Sequence, residues 1–599
     1  MRSAIHIRRR QAAVVVAVLL VTLYGVLLRL DAYTGEYGAL AHPAWARFMT
    51  HDVAPLARYV RPPGIRWGLI AAPYVGGDPI NYLKFAREMT SFYQPHVREP
   101  VFLAMTRTAS AILDRQDAAV SLASAVGSVL AIIATYLLGA ALISPLGGLA
   151  AALIMAIEYD MITWAVDGWR DDMFTAMVTL SAWTFVRFHD RPSFANGVLV
   201  GIITGLACLT RITALSFVLP ALVWVAVARG KESRREGVGH AATALLILTA
   251  VVSPYLISCA IATGDPFYAI NYHTVYYRFA EGMPIGAAMT AGDYLRLKFA
   301  GHPIGTLDTA FTGEFIRPFI TKWRGIDPWS PYVAELLRWL SLTGLLALPF
   351  SSKGRLLTVI LLGSLIPYAF TWNVGAGGEW RFTMHAYPIY LVAAMMAARG
   401  VYRGLRTLVR GRFAWRAAIG PIGRRAVVSI AIAAGASALY AALPWFVVRE
   451  AVSKRESVSL EPDARGRVFY RSGWSPPHDE GLATVRVSRA VRAQMHFPLT
   501  EKRAHHVVLR LDPVDPARQK RLMVLFNQQV VGNFGFVWDP QRVGSYQVSL
   551  PPEWVRVGDN EIIMVVQPVV AAGAAGPRFA WLDPHEEVGI RLWYVRVLD

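Results

Sequence analysis

Two features of this 599-residue sequence predict a polytopic α-helical membrane domain followed by an extracytoplasmic all-β sandwich or jelly roll. The first is composition: 54% of residues are hydrophobic and 17% are charged, and the apolar residues gather in long runs. The second is a change of pattern near Arg449, after which short runs of alternating apolar and polar residues are bounded by Pro, Gly, Asn and Asp. We therefore divide the chain at residue 450, with a membrane domain over 1–450 and an extracytoplasmic β-domain over 451–599 that is a candidate acceptor-holding or carbohydrate-binding module.

Arg8-Arg9-Arg10 precedes an apolar stretch from Ala12 to Leu30 that is long enough to span and lacks a small-x-small cleavage site, so it reads as a retained first helix with a cytoplasmic start. A polar, Pro-rich outer loop over 31–117 follows. Further apolar segments lie near 118–142, 146–162, 173–188, 194–209, 212–228, 239–262, 335–350, 355–372, 383–398 and 425–448, which makes about eleven spans, several of them short and tilted or re-entrant. The basic connections Arg229–Arg235 and Arg399–Arg425 belong in the cytoplasm under the positive-inside rule. That assignment sends the first loop, the turns at 160–172, 211 and 379, the long 263–334 loop and the C-terminus to the outside of a plasma (inner) membrane.

In the tail, His506–Leu511, Leu522–Phe526, Tyr546–Leu550, Glu561–Val566 and Ile590–Val597 read as antiparallel strands. Trp538, Trp554 and Trp593 read as core residues in preference to sugar platforms. The formal net charge of +19 sits largely in short loops beside apolar runs, where it orients the protein and meets anionic lipid. With no basic platform interleaved with aromatics, nucleic acid is excluded as a partner. Cys208 and Cys259 fall in predicted spans and define neither a disulfide framework nor a metal spacing.

Ionisable residues mark the outward turns, and such residues at the edge of hydrocarbon are site candidates. Gly77-Asp78-Pro79 delivers an acid to the start of a helix, where Asp78 is either an N-cap or a catalytic carboxylate. Tyr82, Phe85 and Met89 follow at helical spacing and read as a packed face, with Tyr82 also a candidate substrate-lining residue. His96, Arg98 and Glu99 form a dense polar segment before the chain re-enters the membrane. Glu158, Asp160, Arg170, Asp171 and Asp172 cluster around the next outward turn, either as an acceptor site or as an interfacial set in which Arg170 pairs with the aspartates. Asp171 and Asp172 could hold magnesium or manganese, though nothing in their spacing demands it. Arg211 and Arg381, the latter beside Glu379, are suited to a phosphate because the guanidinium is a planar fork that stays charged. His273 lies among Tyr272, Tyr276 and Tyr277, a setting that favours an interfacial helix over a sugar platform.

The pattern Asp78…Tyr82…Ala86-Arg87-Glu88-Met89, followed by a Pro-containing polar segment and a return to the membrane, resembles the first outer loop of GT-C glycosyltransferases. The similarity is to the protein O-mannosyltransferase and lipid A aminoarabinose transferase branch and covers roughly residues 12–450. It implies a catalytic base or acceptor-orienting carboxylate at Asp78, an acid at Asp171 or Asp172, and arginines near a lipid phosphate. The sequence departs from the frequent Asp-Glu pair by placing Pro79 second.

The resemblance implies an inverting glycosyltransferase that moves a hexosyl or pentosyl unit from a polyprenyl-phosphate donor to a glycan, lipid or protein acceptor. In this reading Asp78 is the base, Arg98, Arg211 and Arg381 bind the donor phosphate, Asp171, Asp172, Glu158 and Glu379 form an acidic acceptor site, and Tyr82, His96 and His273 line the substrate. Two alternatives come from other classes: a transporter or flippase of lipid-linked saccharide, and a membrane-anchored carbohydrate-binding protein. Charges clustered at one face and the lack of an internal repeat weigh against the transporter.

Overall fold

The computed structural model describes the whole chain except residues 1, 39, 41–42, 62–64, 68–76, 114–115, 229–230, 281–288, 322, 324, 371–378, 410–414, 464, 481–482, 537–542 and 599. Two compact units result: residues 1–295 with 309–429, and residues 296–308 with 430–599.

The first unit is helical, and every apolar segment anticipated as a span is a helix or a helix pair. Among the described residues, five helices are long and apolar enough to cross a membrane, with a sixth if the bent pair Pro145–Ile157 and Tyr159–Asp167 is one span. Length and composition alone thus support five or six of the eleven expected spans. The remaining apolar helices are shorter, such as Phe194–Thr210, or carry charged ends, such as Asp171–Asp190. The protein is a multi-pass membrane protein.

These helices approach closely through small residues, because apolar burial gives little drive between helices already in lipid and packing must supply it. A Cβ at Gly148 would lie 2.5 Å from the Tyr136 carbonyl oxygen, and one at Gly344 would overlap the Ala393 carbonyl on the helix Tyr387–Val409. Glu158 sits at the 55° bend of the helix pair, where its carboxylate accepts from the Met161 N–H at 2.5 Å and caps the second helix.

The second unit holds two antiparallel sheets. One orders its strands 478–480, 483–487, 590–598, 505–513 and 544–550, with 458–460 also paired to 590–598; the other orders 492–499, 558–567, 521–526 and 529–535. Alternate residues of both sheets, among them Phe497, Leu509, Phe526, Val548, Ile562 and Leu592, share one core, which makes a β-sandwich. The five anticipated strands are all present. Trp554 and Trp593 are half-buried, and Trp538 lies outside the described residues. Val448 and Val452, at the end of the helix Trp415–Ser453, join this core. Glu450 accepts from the N–H groups of Ile304 and Gly305, and Arg465 pairs with Asp308, which ties 296–308 to the β-unit.

Gly344→Val should lower the thermal midpoint of the detergent-solubilised protein, by the equivalent of about 1–3 kcal/mol of overpacking strain. An unchanged midpoint contradicts the close helix approach at this position.

Candidate active site

Gly77 adopts φ 63°, a conformation that favours glycine, and turns the chain into the helix Asp78–Glu88 with Pro79 in its first turn. Asp78 is the first helical residue and makes no capping bond; the N-cap is Gly77. Its carboxylate faces two guanidinium groups instead. Oδ1 accepts from Arg98 Nη2 at 3.4 Å and Oδ2 from Arg381 Nη1 at 3.3 Å. About a third of the Asp78 side chain (32%) remains exposed, against 12% for Arg98 and 13% for Arg381.

All three residues line a cavity of about 810 Å³ in the helical unit. Arg211, Arg170, Glu99, Tyr82 and His273 line it too. The residues of this site come from segments far apart in sequence, and the fold brings them together.

From sequence, Glu99 reads only as part of a polar segment, with no role assigned to it. It is buried immediately before the helix Pro100–Ile112, where it accepts from Arg170 Nη1 at 2.5 Å and from the Ile212 N–H at 2.9 Å. The expected pairing of Arg170 with Asp171 and Asp172 does not occur; Arg170 reaches back to the first loop. Asp171 pairs instead with Arg211, whose Nη1 also donates to the Tyr368 hydroxyl at 3.0 Å. Asp172 is buried and accepts from Ser124 Oγ at 3.3 Å. Asp171, Asp172 and Glu158 do not line the cavity. Of Glu379 only the helical backbone is described, and Gly378 lies outside the described residues.

Asp171 is paired with a guanidinium and Asp172 with a serine, while Oδ2 of the first and Oδ1 of the second have no hydrogen-bond partner among the described residues. Among the described residues no group of three or more His, Cys, Asp or Glu is placed to hold a metal.

Tyr82 is buried in the helical core and has Arg98 and Arg170 near its ring, so it is both packed and cavity-lining. His96 packs on Phe85 with ring centroids 4.1 Å apart and ring planes tilted by 56°, and does not line the cavity. His273, on the helix Tyr268–Ala280, points inward, where its ring contacts Arg98 and lies 3.4 Å from Arg170 Nη2. Its expected placement on an interfacial helix face gives way to this contact. Burial, with Arg98, Arg170, Arg211 and Arg381 around it, holds the His273 imidazole well below its ordinary titration range. Arg381 lies over the ring of Trp169 at 4.2 Å, and the same indole packs under Gly77.

Counting formal charges among the described side chains, Arg98, Arg170, Arg211 and Arg381 face Asp78, Glu99 and Asp171, an excess of one positive charge. Arg170 and Arg211 each have a carboxylate of their own, whereas Arg98 and Arg381 share Asp78. The excess therefore resides beside Asp78. The buried Nε of each of the four arginines has no hydrogen-bond partner among the described residues. Such a set suits a singly charged anion in the cavity.

Residues 94–257, which supply Arg98, Glu99, Arg170, Asp171 and Arg211, match the family model described as dolichyl-phosphate-mannose-protein mannosyltransferase. That match spans about a quarter of the chain. Solved structures similar to this chain include the oligosaccharyltransferase AglB of Archaeoglobus fulgidus in complex with an inhibitory peptide and a dolichol-phosphate, at 15% identity over 71% of this chain, with a TM-score of 0.42. ArnT of Cupriavidus metallidurans bound to undecaprenyl phosphate is similar at 14% identity over 62% of this chain, with a TM-score of 0.39. The matches span 55% and 61% of those two chains. A family 35 carbohydrate-binding module from an environmental isolate matches 22% of this chain and 91% of its own length, at 14% identity and a TM-score of 0.15. No curated protein sequence matches.

Two outcomes follow from the geometry. Glu99→Gln leaves the Arg170 guanidinium buried without a carboxylate, so the folded protein should lose about 3–5 kcal/mol of stability, read as a lower thermal midpoint; no change contradicts the buried pair.

The second concerns acid. Because His273 titrates lower in the folded than in the unfolded protein, the unfolded state binds more protons as pH falls below about 6.5, and stability is lost in that direction. His273→Gln should flatten the fall in thermal midpoint on acidification, and an identical fall in both proteins contradicts this placement.

Proposed function

We propose that this protein transfers a glycosyl unit from a polyprenyl-phosphate donor to an acceptor hydroxyl, with Asp78 as base. One observation carries the reading: Asp78 is clamped through both oxygens by Arg98 and Arg381 while a third of its side chain stays exposed. The long bonds, 3.3 and 3.4 Å, leave its lone pairs able to accept a proton from a bound hydroxyl.

Donor phosphate sits at the shared arginines. A phosphodiester-linked sugar carries one negative charge, which balances the one excess guanidinium. As the acceptor oxygen attacks the anomeric carbon, its proton passes to Asp78. The bond from the anomeric carbon to the phosphate oxygen breaks, and polyprenyl phosphate departs with the bonding electron pair. Arg98 and Arg381 meet the charge that develops on that oxygen. Arg211, held by Asp171 and Tyr368, stiffens the far wall. Displacement from the face opposite the leaving group inverts the anomeric centre.

A lipid-borne donor also accounts for placing these charges at the ends of membrane helices. In this reading the cavity opens to the outer side of the plasma membrane, where the first loop and the turn at Arg381 both emerge. The acceptor is a glycan, lipid or protein hydroxyl.

Asp78→Asn should lower transfer from a radiolabelled polyprenyl-phosphate sugar by about 10²–10⁴-fold in protein that still expresses and folds. Near-normal turnover removes Asp78 from the role of base. Movement of the labelled lipid across a vesicle bilayer without transfer favours a flippase instead.

A further inference from the structure

The outer face of the six-stranded sheet in the second unit carries a cationic surface that the transfer reaction does not use. In the register, Arg510 is the cross-strand partner of Tyr594 and of Ser545, Val508 pairs with Arg596 and Gln547, and His506 pairs with Leu598 and Ser549. Burial alternates along all three strands: Leu509, Val548 and Val595 point into the core, whereas Arg510, Arg596, Ser545, Gln547 and Ser549 are exposed. These residues tile one flat face, roughly 10 Å across three strands and about 14 Å along them, the footprint of a short oligosaccharide.

Arg510 and Arg596 both lie against Tyr594, at 5.7 and 5.3 Å from its ring centroid. Neither makes an ion pair among the described residues. The acid on these strands, Asp512, is committed to Arg591 and to the Trp593 indole N–H. Two uncompensated like charges gathered on one ring repel each other, a cost that a bound anion relieves. Around them, hydroxyl, amide and imidazole groups of Ser545, Gln547, Ser549 and His506 offer hydrogen bonds to sugar hydroxyls. Val508, Tyr594 and Leu598 on this face are half-buried, and no large apolar side chain described on these three strands is exposed. That composition suits a polar polymer and gives a bilayer nothing to insert. Because the Tyr594 ring is occupied by guanidinium groups, it offers no stacking platform for a nucleobase.

We infer that this face binds an anionic glycan, with a carboxylate or phosphate group of the polymer held between Arg510 and Arg596. The site is independent of Asp78 and of the donor cavity.

The test uses the full-length protein in nanodiscs, with polygalacturonate as the anionic probe and dextran as the neutral one. Wild type should bind polygalacturonate in preference to dextran, more weakly as ionic strength rises. Arg510→Gln and Arg596→Gln, made singly, should each weaken binding about tenfold, and the lysine replacements should retain part of it. These variants should keep wild-type transfer to a small acceptor, and Asp78→Asn should keep wild-type glycan binding, so failure of one proposal is distinguishable from failure of the other. Equal binding of dextran, salt-independent binding, glutamine variants with wild-type affinity, or binding to phosphatidylglycerol vesicles without binding to polygalacturonate overturns the inference. Should a glutamine variant fail to fold, the probe preference and salt dependence of wild type still decide.

Discussion

An arginine side chain cannot shed its proton to escape a membrane-edge environment, so every guanidinium buried there needs a carboxylate or an anion beside it. Four such groups converge on one cavity, and the helical unit is arranged to meet them. Glu99 is held at the head of one helix and serves both Arg170 and the Ile212 N–H, linking the first outer loop to the turn that carries Arg211. Asp171 does the same for Arg211 from the first turn of the next helix. Among the described acids of the cavity only Asp78 is divided between two guanidinium groups, and that division leaves one positive charge in excess beside it.

The neutral imidazole of His273 belongs to the same economy of charge. Protonating it would add a cation to a site already in excess, and burial together with the surrounding arginines opposes this. Arg98 thus meets His273 through Nη1 and Asp78 through Nη2.

Much of the architecture was legible because its signals are local. Apolar runs of membrane length mark helices wherever lipid is the solvent, and alternation with turn residues marked the strands of the sandwich. Asp78 could be found because Gly-Asp-Pro announces a helix start, and Arg211 and Arg381 because a charge beside an apolar run is costly. Which acid meets which arginine was not legible: Arg170 and Glu99 are 71 residues apart, and Arg98 and His273 are 175 apart. Proximity in sequence suggested Arg170 with its neighbouring aspartates, whereas the helix at Asp171 turns that acid toward Arg211. His273 was misread because aromatic neighbours at helical spacing describe an interfacial face equally well, and only the packing decides which side looks inward. The eleven expected spans exceeded the number that length and apolarity support, since bent and short helices share the hydropathy of full crossings.

The account stands on the phosphate of a lipid carrier occupying the place where Arg98 and Arg381 share one carboxylate. The most direct measurement is a structure of the full-length protein with a polyprenyl phosphate bound. The account predicts phosphate density within hydrogen-bonding distance of both guanidinium groups, beside Asp78. Density for the lipid phosphate that touches neither arginine would contradict it.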